Sequence, residues 1–326
     1  MSPPLPPHPL DLPSRGIPAE VLDRQVHVVM GKGGVCKSTV ALALALGLHA
    51  RGKRVLLCQV NTPDAHGPLL GAPVDEELRE SRRGLWTVNI EPQSARREYV
   101  MMVVKFRAVY DAIFENRVVQ YFLRFIPSLA ELNMTGKIWF HAEERAGDRA
   151  RFDHVVVDAP ATGHGITLMK VARVLSRTAP PGPLRTQTES MASVFEDPAR
   201  CALHVVTTPD ELSVMETTEL LSRIRRERVG PLGVAVVNRV PARLFHGQPV
   251  SAWESLRAHP DVGGLARVVT ERAQLERAAA AAVERLAAPD LPVLALPESG
   301  GRVFGAVDVD AFSARLMPAR RVVEAL

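Results

Sequence analysis

Gly31-Lys32-Gly33-Gly34-Val35-Cys36-Lys37-Ser38-Thr39 lies between an apolar run, Val26 to Met30, and a helix-forming segment, Thr39 to Ala50. A strand that turns through glycines into a helix N-terminus aims backbone N–H groups and the positive end of the helix dipole at one anion. In such a loop Lys37 sits on the terminal phosphates and Ser38 on Mg2+. Gly33, Gly34, Val35, Cys36, Lys37, Ser38 and Thr39 are therefore the candidate nucleotide-binding residues. One residue departs from the pattern G-x-x-x-x-G-K-[ST], because Cys36 stands where the second glycine belongs. If its backbone takes the left-handed conformation usual for glycine there, the strain costs about 1–2 kcal/mol. That is about a tenfold loss, or somewhat more, in affinity or turnover.

Outward from this loop, short apolar runs alternate with helical patterns. Gln25 to Met30, Arg54 to Val60, Trp86 to Ile90, Phe152 to Asp158, Ala202 to Thr207, Gly233 to Val237 and Leu291 to Leu296 read as strands. Ser213 to Arg228 and Leu265 to Leu286 read as helices. Continuously apolar strands alternating with helices predict an α/β fold, a doubly wound and mainly parallel sheet covered on both faces. Residues 1 to about 22 are proline-rich and read as a loose tail before one domain at 23–326. The stretch from Phe312 to Leu326 is interrupted by Pro318 and reads as a docked or frayed end.

The alternation breaks at about 94–147, where apolar residues recur at helical spacing. Nine of the sixteen aromatics lie there: Tyr99, Phe106, Tyr110, Phe114, Tyr121, Phe122, Phe125, Trp139 and Phe140. A helical insertion carrying such a stripe is either core packed on the sheet edge or an apolar surface for a client or partner protein.

Asp158 ends an apolar strand in Val155-Val156-Val157-Asp158-Ala159-Pro160-Ala161-Thr162-Gly163-His164. Sites in open α/β sheets lie at the carboxyl ends of strands, so Asp158 is the candidate to hold Mg2+ through water. Gly163 brings backbone close to a γ-phosphate position, which lets this segment distinguish ATP from ADP.

These segments together resemble a known family. Gly-Lys-Gly-Gly-Val-x-Lys-Ser-Thr with its early Lys32 is similar to the deviant Walker A loop of dimeric P-loop ATPases. Val-Asp-Ala-Pro-Ala-Thr-Gly-His points to the ArsA-like branch, which comprises arsenite-pump and tail-anchored-protein-targeting ATPases. Thr207-Thr208-Pro209-Asp210-Glu211 and Val236-Val237-Asn238-Arg239 extend the resemblance over most of residues 25 to 297. It implies ATP and Mg2+ as cofactors, Asn238 reading the adenine ring and a dimer in which Lys32 reaches the partner's nucleotide. It also implies a helical subdomain that responds to nucleotide state. The second aspartate of the family's strand-two motif, which positions the attacking water, falls at Asn61 when aligned without gaps from Lys37 and at Pro63 in a gapped alignment, and neither restores the carboxylate. Asn61 can hydrogen-bond a water but cannot accept its proton. Asp64 and His66 follow in Thr62-Pro63-Asp64-Ala65-His66, with Asp64 three residues late. Lys32, Lys37 and Asn61 are thus the catalytic candidates. Two outcomes stay open, an ATPase with weakened hydrolysis or a pseudo-ATPase subunit that completes a paralogue's site, and so does the choice between a homodimer and a heterodimer with an ArsA-like paralogue.

Composition narrows the partners. The 40 basic and 36 acidic residues leave a formal charge of +4, with no basic run to track a nucleic-acid backbone. Only six basic residues are lysine, and two of them, Lys32 and Lys37, lie in the phosphate loop, where a compact charge suits crowded phosphates. Cys36, Cys58 and Cys201 form no zinc spacing. No apolar run is long enough to span a bilayer, and Met1-Ser2-Pro3-Pro4 does not open a secretory leader, so the expectation is a cytoplasmic protein.

Overall fold

The computed structural model describes residues 16–92, 129–179, 181–242, 250–299 and 305–318. Its strands are β1 (Val26–Gly31), β2 (Val55–Val60), β3 (Arg79–Arg82), β4 (Leu85–Ile90), β5 (Arg145–Ala146), β6 (Arg149–Ala150), β7 (His154–Asp158), β8 (Cys201–Thr207), β9 (Leu232–Val240) and β10 (Val293–Pro297). The helices are α1 (Ala19–Leu22), α2 (Lys37–Ala50), α3 (Gly67–Leu70), α4 (Leu129–Glu143), α5 (Thr162–Thr178), α6 (Pro183–Glu196), α7 (Glu211–Glu227), α8 (Val250–Glu254), α9 (Gly263–Leu286) and α10 (Ala306–Leu316).

Eight strands form one sheet in the order β10-β9-β8-β1-β7-β2-β4-β3. All neighbours run parallel except β3, which is antiparallel to β4 at the edge. Every residue of β1, β2, β7 and β8 is buried, which is why these strands are apolar on both sides rather than alternating. The short edge strand β3 reads Arg-Glu-Ser-Arg, and a charged edge discourages pairing with another chain.

Two apolar layers flank the sheet. Val29, Val156 and Val206 face a layer built from α2 (Val40 to Leu48) and α10 (Val309, Phe312, Leu316). Val28, Val157 and Val205 face the opposite layer, which holds α4, α5, α6, α7 and α9 through residues such as Ile138, Leu168, Phe195, Leu221 and Ala282. Adjacent strands β1 and β7 therefore send their following helices to opposite faces. Their carboxyl ends open a crevice, and Val29 pairs in register with Asp158 across it.

One boundary differs from the sequence expectation. The loose tail was expected through residue 22, yet Ile17, Val21 and Leu22 are buried, and the Ile17 N–H donates to the Leu316 carbonyl at 2.7 Å. Pro18 does not loosen this segment, because it precedes α1 and its carbonyl accepts the Val21 and Leu22 N–H groups. At the other end α10 packs on α2 and stops before Pro318; a Cβ on Gly47 would meet the Met317 and Ser313 side chains within 3 Å. Of the insertion expected at 94–147, α4 is described, followed by the β5–β6 hairpin. Leu132, Met134, Ile138 and Ala142 are core, and Trp139 packs against them. Tyr99, Phe106, Tyr110, Phe114, Tyr121, Phe122 and Phe125 lie outside the described residues.

Candidate nucleotide site

The phosphate loop leaves β1 under tight steric control. A Cβ on Gly31 would lie 2.3 Å from the Val206 carbonyl oxygen of β8, so only glycine fits. Gly34 has φ 88°, and Cys36 has φ 63° and ψ 44°, a left-handed backbone on a residue with a Cβ. Helix α2 begins directly after it, so the free N–H groups of its first turn follow Cys36. Lys37 reaches back over the loop and donates to the Lys32 carbonyl at 3.0 Å. Burial lowers the Lys37 pKa, while the negative charge of Asp158 and the Cys36 thiolate form oppose that shift. Gly33 and Gly34 are exposed, Val35 is buried, and Ser38 and Thr39 are half-buried.

Asp158 is only 2% exposed, and its Oδ2 has no hydrogen-bond partner. Oδ2 lies 3.3 Å from His66 Nε2, close but without hydrogen-bond geometry, and neither ring nitrogen of His66 has a partner. Asn238, at the end of β9, donates from Nδ2 to the Val35 carbonyl at 3.1 Å. Its Oδ1 is buried and unpartnered, an acceptor left over beside the loop.

The loop after β2 is fixed by its own side chains. Gln59 donates to the Thr62 and Pro63 carbonyls at 2.9 and 3.0 Å and accepts the Ala65 N–H at 2.9 Å. Asn89 also donates to the Thr62 carbonyl. Asp64 Oδ1 accepts the His66 and Gly67 N–H groups, and Oδ2 accepts that of Val74. The Asp64 carboxylate is thus engaged by three backbone amides. Asn61 is exposed, with φ 48°, a conformation that asparagine tolerates better than most residues.

Gly163 lies exposed in the first turn of α5. Next to it His164 Nδ1 meets Glu131 Oε1 of α4 at 3.2 Å, and Thr135 of α4 donates to the Leu168 carbonyl of α5 at 2.7 Å. Thr207-Thr208-Pro209-Asp210-Glu211 forms the start of α7: Thr208 donates to Asp210 Oδ2, and Asp210 Oδ1 caps the helix by accepting the Ser213 N–H. One turn further, Glu216 holds Lys32 in an ion pair at 2.9 Å. Sequence reading missed the parts played by Gln59, His66 and Glu216. Gln59 carried a signal, since a polar residue in a fully apolar strand asks for partners at the strand end.

Among the described residues, no group of three or more His, Cys, Asp or Glu side chains is arranged to hold a metal. A hydroxyl from Ser38 and one carboxylate with a spare oxygen fit Mg2+ instead, which keeps most of its waters and binds chiefly through substrate phosphates.

Residues 24–179 match the anion-transporting ATPase family. That stretch, which holds the loop and Asp158, makes the chain similar to the ArsA-like ATPases. It is 29% identical over 308 residues to the ATPase BagA of Mycobacterium tuberculosis, an alignment covering 87% of this chain and 90% of that protein. An arsenical pump-driving ATPase of Escherichia coli is 26% identical over 236 residues, covering 70% of this chain but 37% of the relative. The ATPase ARSA1 of Chlamydomonas reinhardtii is 22% identical over 322 residues, covering 78% of this chain and 41% of that protein. The mainly parallel sheet that carries the loop is consistent with a P-loop fold, and no helix among the described residues is long and apolar enough to cross a membrane.

Proposed function

We propose that this ArsA-like chain binds Mg-ATP as a dimer, hydrolyses it weakly, and couples nucleotide state to a client or partner protein. The observation that supports it most is the placement of Lys37 at the head of α2 and Asp158 at the end of β7, at the crevice where the helices after the paired strands β1 and β7 leave for opposite faces. In this reading Gly33 to Thr39 hold the phosphates. Ser38 and water-mediated Asp158 hold Mg2+, which when bound neutralises phosphate charge. Asn238 meets the adenine ring through its spare Oδ1, and Gly163 senses the γ-phosphate. Lys32, on exchanging Glu216 for a second copy's nucleotide, completes the partner's site.

Hydrolysis is weakened for two reasons in this reading. Cys36 strains the cradle, and Asn61 cannot serve as a base. Asp64 does not replace it, because its oxygens already accept from three backbone amides. The His164–Glu131 contact and the Thr135–Leu168 hydrogen bond support a route from the switch at the head of α5 into the helical insertion. Arsenite is not proposed as ligand: burial in β2 and β8 pushes the Cys58 and Cys201 thiols up to about 12, so neither offers a thiolate.

The test is ATP binding and turnover for the wild type, Cys36→Gly, Asn61→Asp and the double variant. Binding by all four and a rise in turnover in the double variant are expected; no binding by the wild type at millimolar Mg-ATP overturns the proposal. The same losses at Cys36 and Asn61 favour a second reading, a pseudo-ATPase that completes a paralogue's site. That reading requires turnover to rise on mixing with the paralogue, and equal turnover with and without it refutes it.

A further inference from the structure

His66 is the most deeply buried imidazole near the candidate site, at 0% exposure, and the nucleotide reading gives it no task. Three buried polar atoms without hydrogen-bond partners lie together: both ring nitrogens of His66 and Oδ2 of Asp158. Leaving one such atom unmade costs about 1–3 kcal/mol, so three in one place mark a site that a ligand's polar shell completes. His66 is also held where it stands. Asp64 accepts its backbone N–H, Gln59 clamps the preceding turn, and Gln59 itself pairs in register with Asp158 across β2 and β7. The loop after β2 therefore folds back over the same strand pair and sets the imidazole 3.3 Å from the carboxylate.

We propose that His66 is a positioning residue that ties the loop after β2 to Asp158 and orients that carboxylate for water-bound Mg2+. A neutral imidazole with its proton on Nε2 donates to Oδ2 after a small rotation and leaves Nδ1 as an acceptor for a water O–H. Asp158 then has one lone pair directed to the ring and the rest toward the crevice. The proposal rests on the nucleotide reading above and adds that the strand-two loop and the strand-seven carboxylate sense the metal as one unit.

The amides of glutamine and asparagine separate the two roles, because a glutamine Nε2 reaches about as far as His66 Nε2 whereas asparagine stops near Nδ1. ADP binding is measured by calorimetry in Mg2+ and in EDTA for the wild type, His66→Gln and His66→Asn. The wild type is expected to gain about tenfold in affinity from Mg2+. His66→Gln should keep most of that gain and His66→Asn should lose it to within about twofold, with equal ADP affinity in EDTA. Amide exchange over residues 61–70 of the wild type is expected to slow when Mg2+ is added to the ADP complex. A full Mg2+ gain in His66→Asn, its equal loss in both variants, or exchange that ignores Mg2+ overturns the proposal. A wild type that binds ADP equally in Mg2+ and EDTA overturns it while leaving nucleotide binding intact. A wild type that binds no ADP overturns both readings.

Discussion

Cys36 holds φ 63° at the hinge between β1 and α2, where each L side chain presses its Cβ against the next carbonyl. The thiol gains little in return, with Sγ 3.9 Å from the Gly34 carbonyl oxygen. Glycine at this place removes the strain but adds freedom to the unfolded chain and to the empty loop, so the two effects partly offset. The net change favours the liganded loop. Cys36→Gly is expected to tighten Mg-ATP binding by about threefold to tenfold, read by calorimetry. An unchanged or weaker affinity would show that the left-handed turn carries no penalty here. Asn61 presents the opposite case. Its own φ of 48° is as easily adopted by aspartate, so Asn61→Asp changes the chemistry at the loop without a backbone cost.

At the scale of elements, α7 governs Lys32. The pair with Glu216 is about one-third exposed on both sides, so it contributes about 0.2–1 kcal/mol. Any transfer of Lys32 to a second copy has to overcome that hold. Glu216→Gln should raise ATP-dependent dimerisation by about twofold to fivefold in sedimentation at low salt, and the gain should shrink as salt screens the pair. A dimer constant that does not respond would place Lys32 outside the interface. The elements themselves were mostly legible in the sequence. Buried parallel strands announce themselves as continuous Val and Leu runs, and the glycines and Lys37 locate the loop between β1 and α2. Asp158 was readable because it ends such a run. β3 was not, because Arg79-Glu80-Ser81-Arg82 lies on an exposed edge and carries no apolar pattern. His66 and Glu216 were hidden for another reason: each acts across a gap between distant segments, and register and loop folding decide those contacts. The aromatic stripe from Tyr99 to Phe125 lies outside the described residues, so α4 alone speaks for the insertion, and its apolar face is core.

Across the whole molecule the sheet carries an acid-sensitive row. His154 of β7, His27 of β1 and His204 of β8 lie side by side, with His27 Nδ1 3.1 Å from His204 Nε2 and His27 Nε2 3.4 Å from His154 Nδ1. Burial is the first cause holding all three below the ordinary histidine value, His27 well below it and His204 at about 3; the neighbouring imidazoles add to it at His27 and the Arg24 charge adds to it at His204. Unfolded, each takes a proton near pH 6.5, whereas folded they do so only at lower pH. Unfolding therefore binds protons in the interval between. Stability is full above pH 6.5 and falls as the medium is acidified, by about 1.4 kcal/mol per pH unit for each histidine that stays neutral in the fold. Half-buried carboxylates such as Asp153 and Glu144, whose pKa values are lowered, begin to cost stability only near their unfolded values of about 4, so the interval from pH 6.5 to 5 belongs to the histidines. Urea unfolding should show a steep fall over that interval in the wild type. His204→Leu removes a ring whose Nδ1 has no partner and should flatten the slope by about one proton, about 1.4 kcal/mol per unit. If the slope of this variant matches the wild type, His204 is already charged in the fold and the row is not the source of the acid sensitivity.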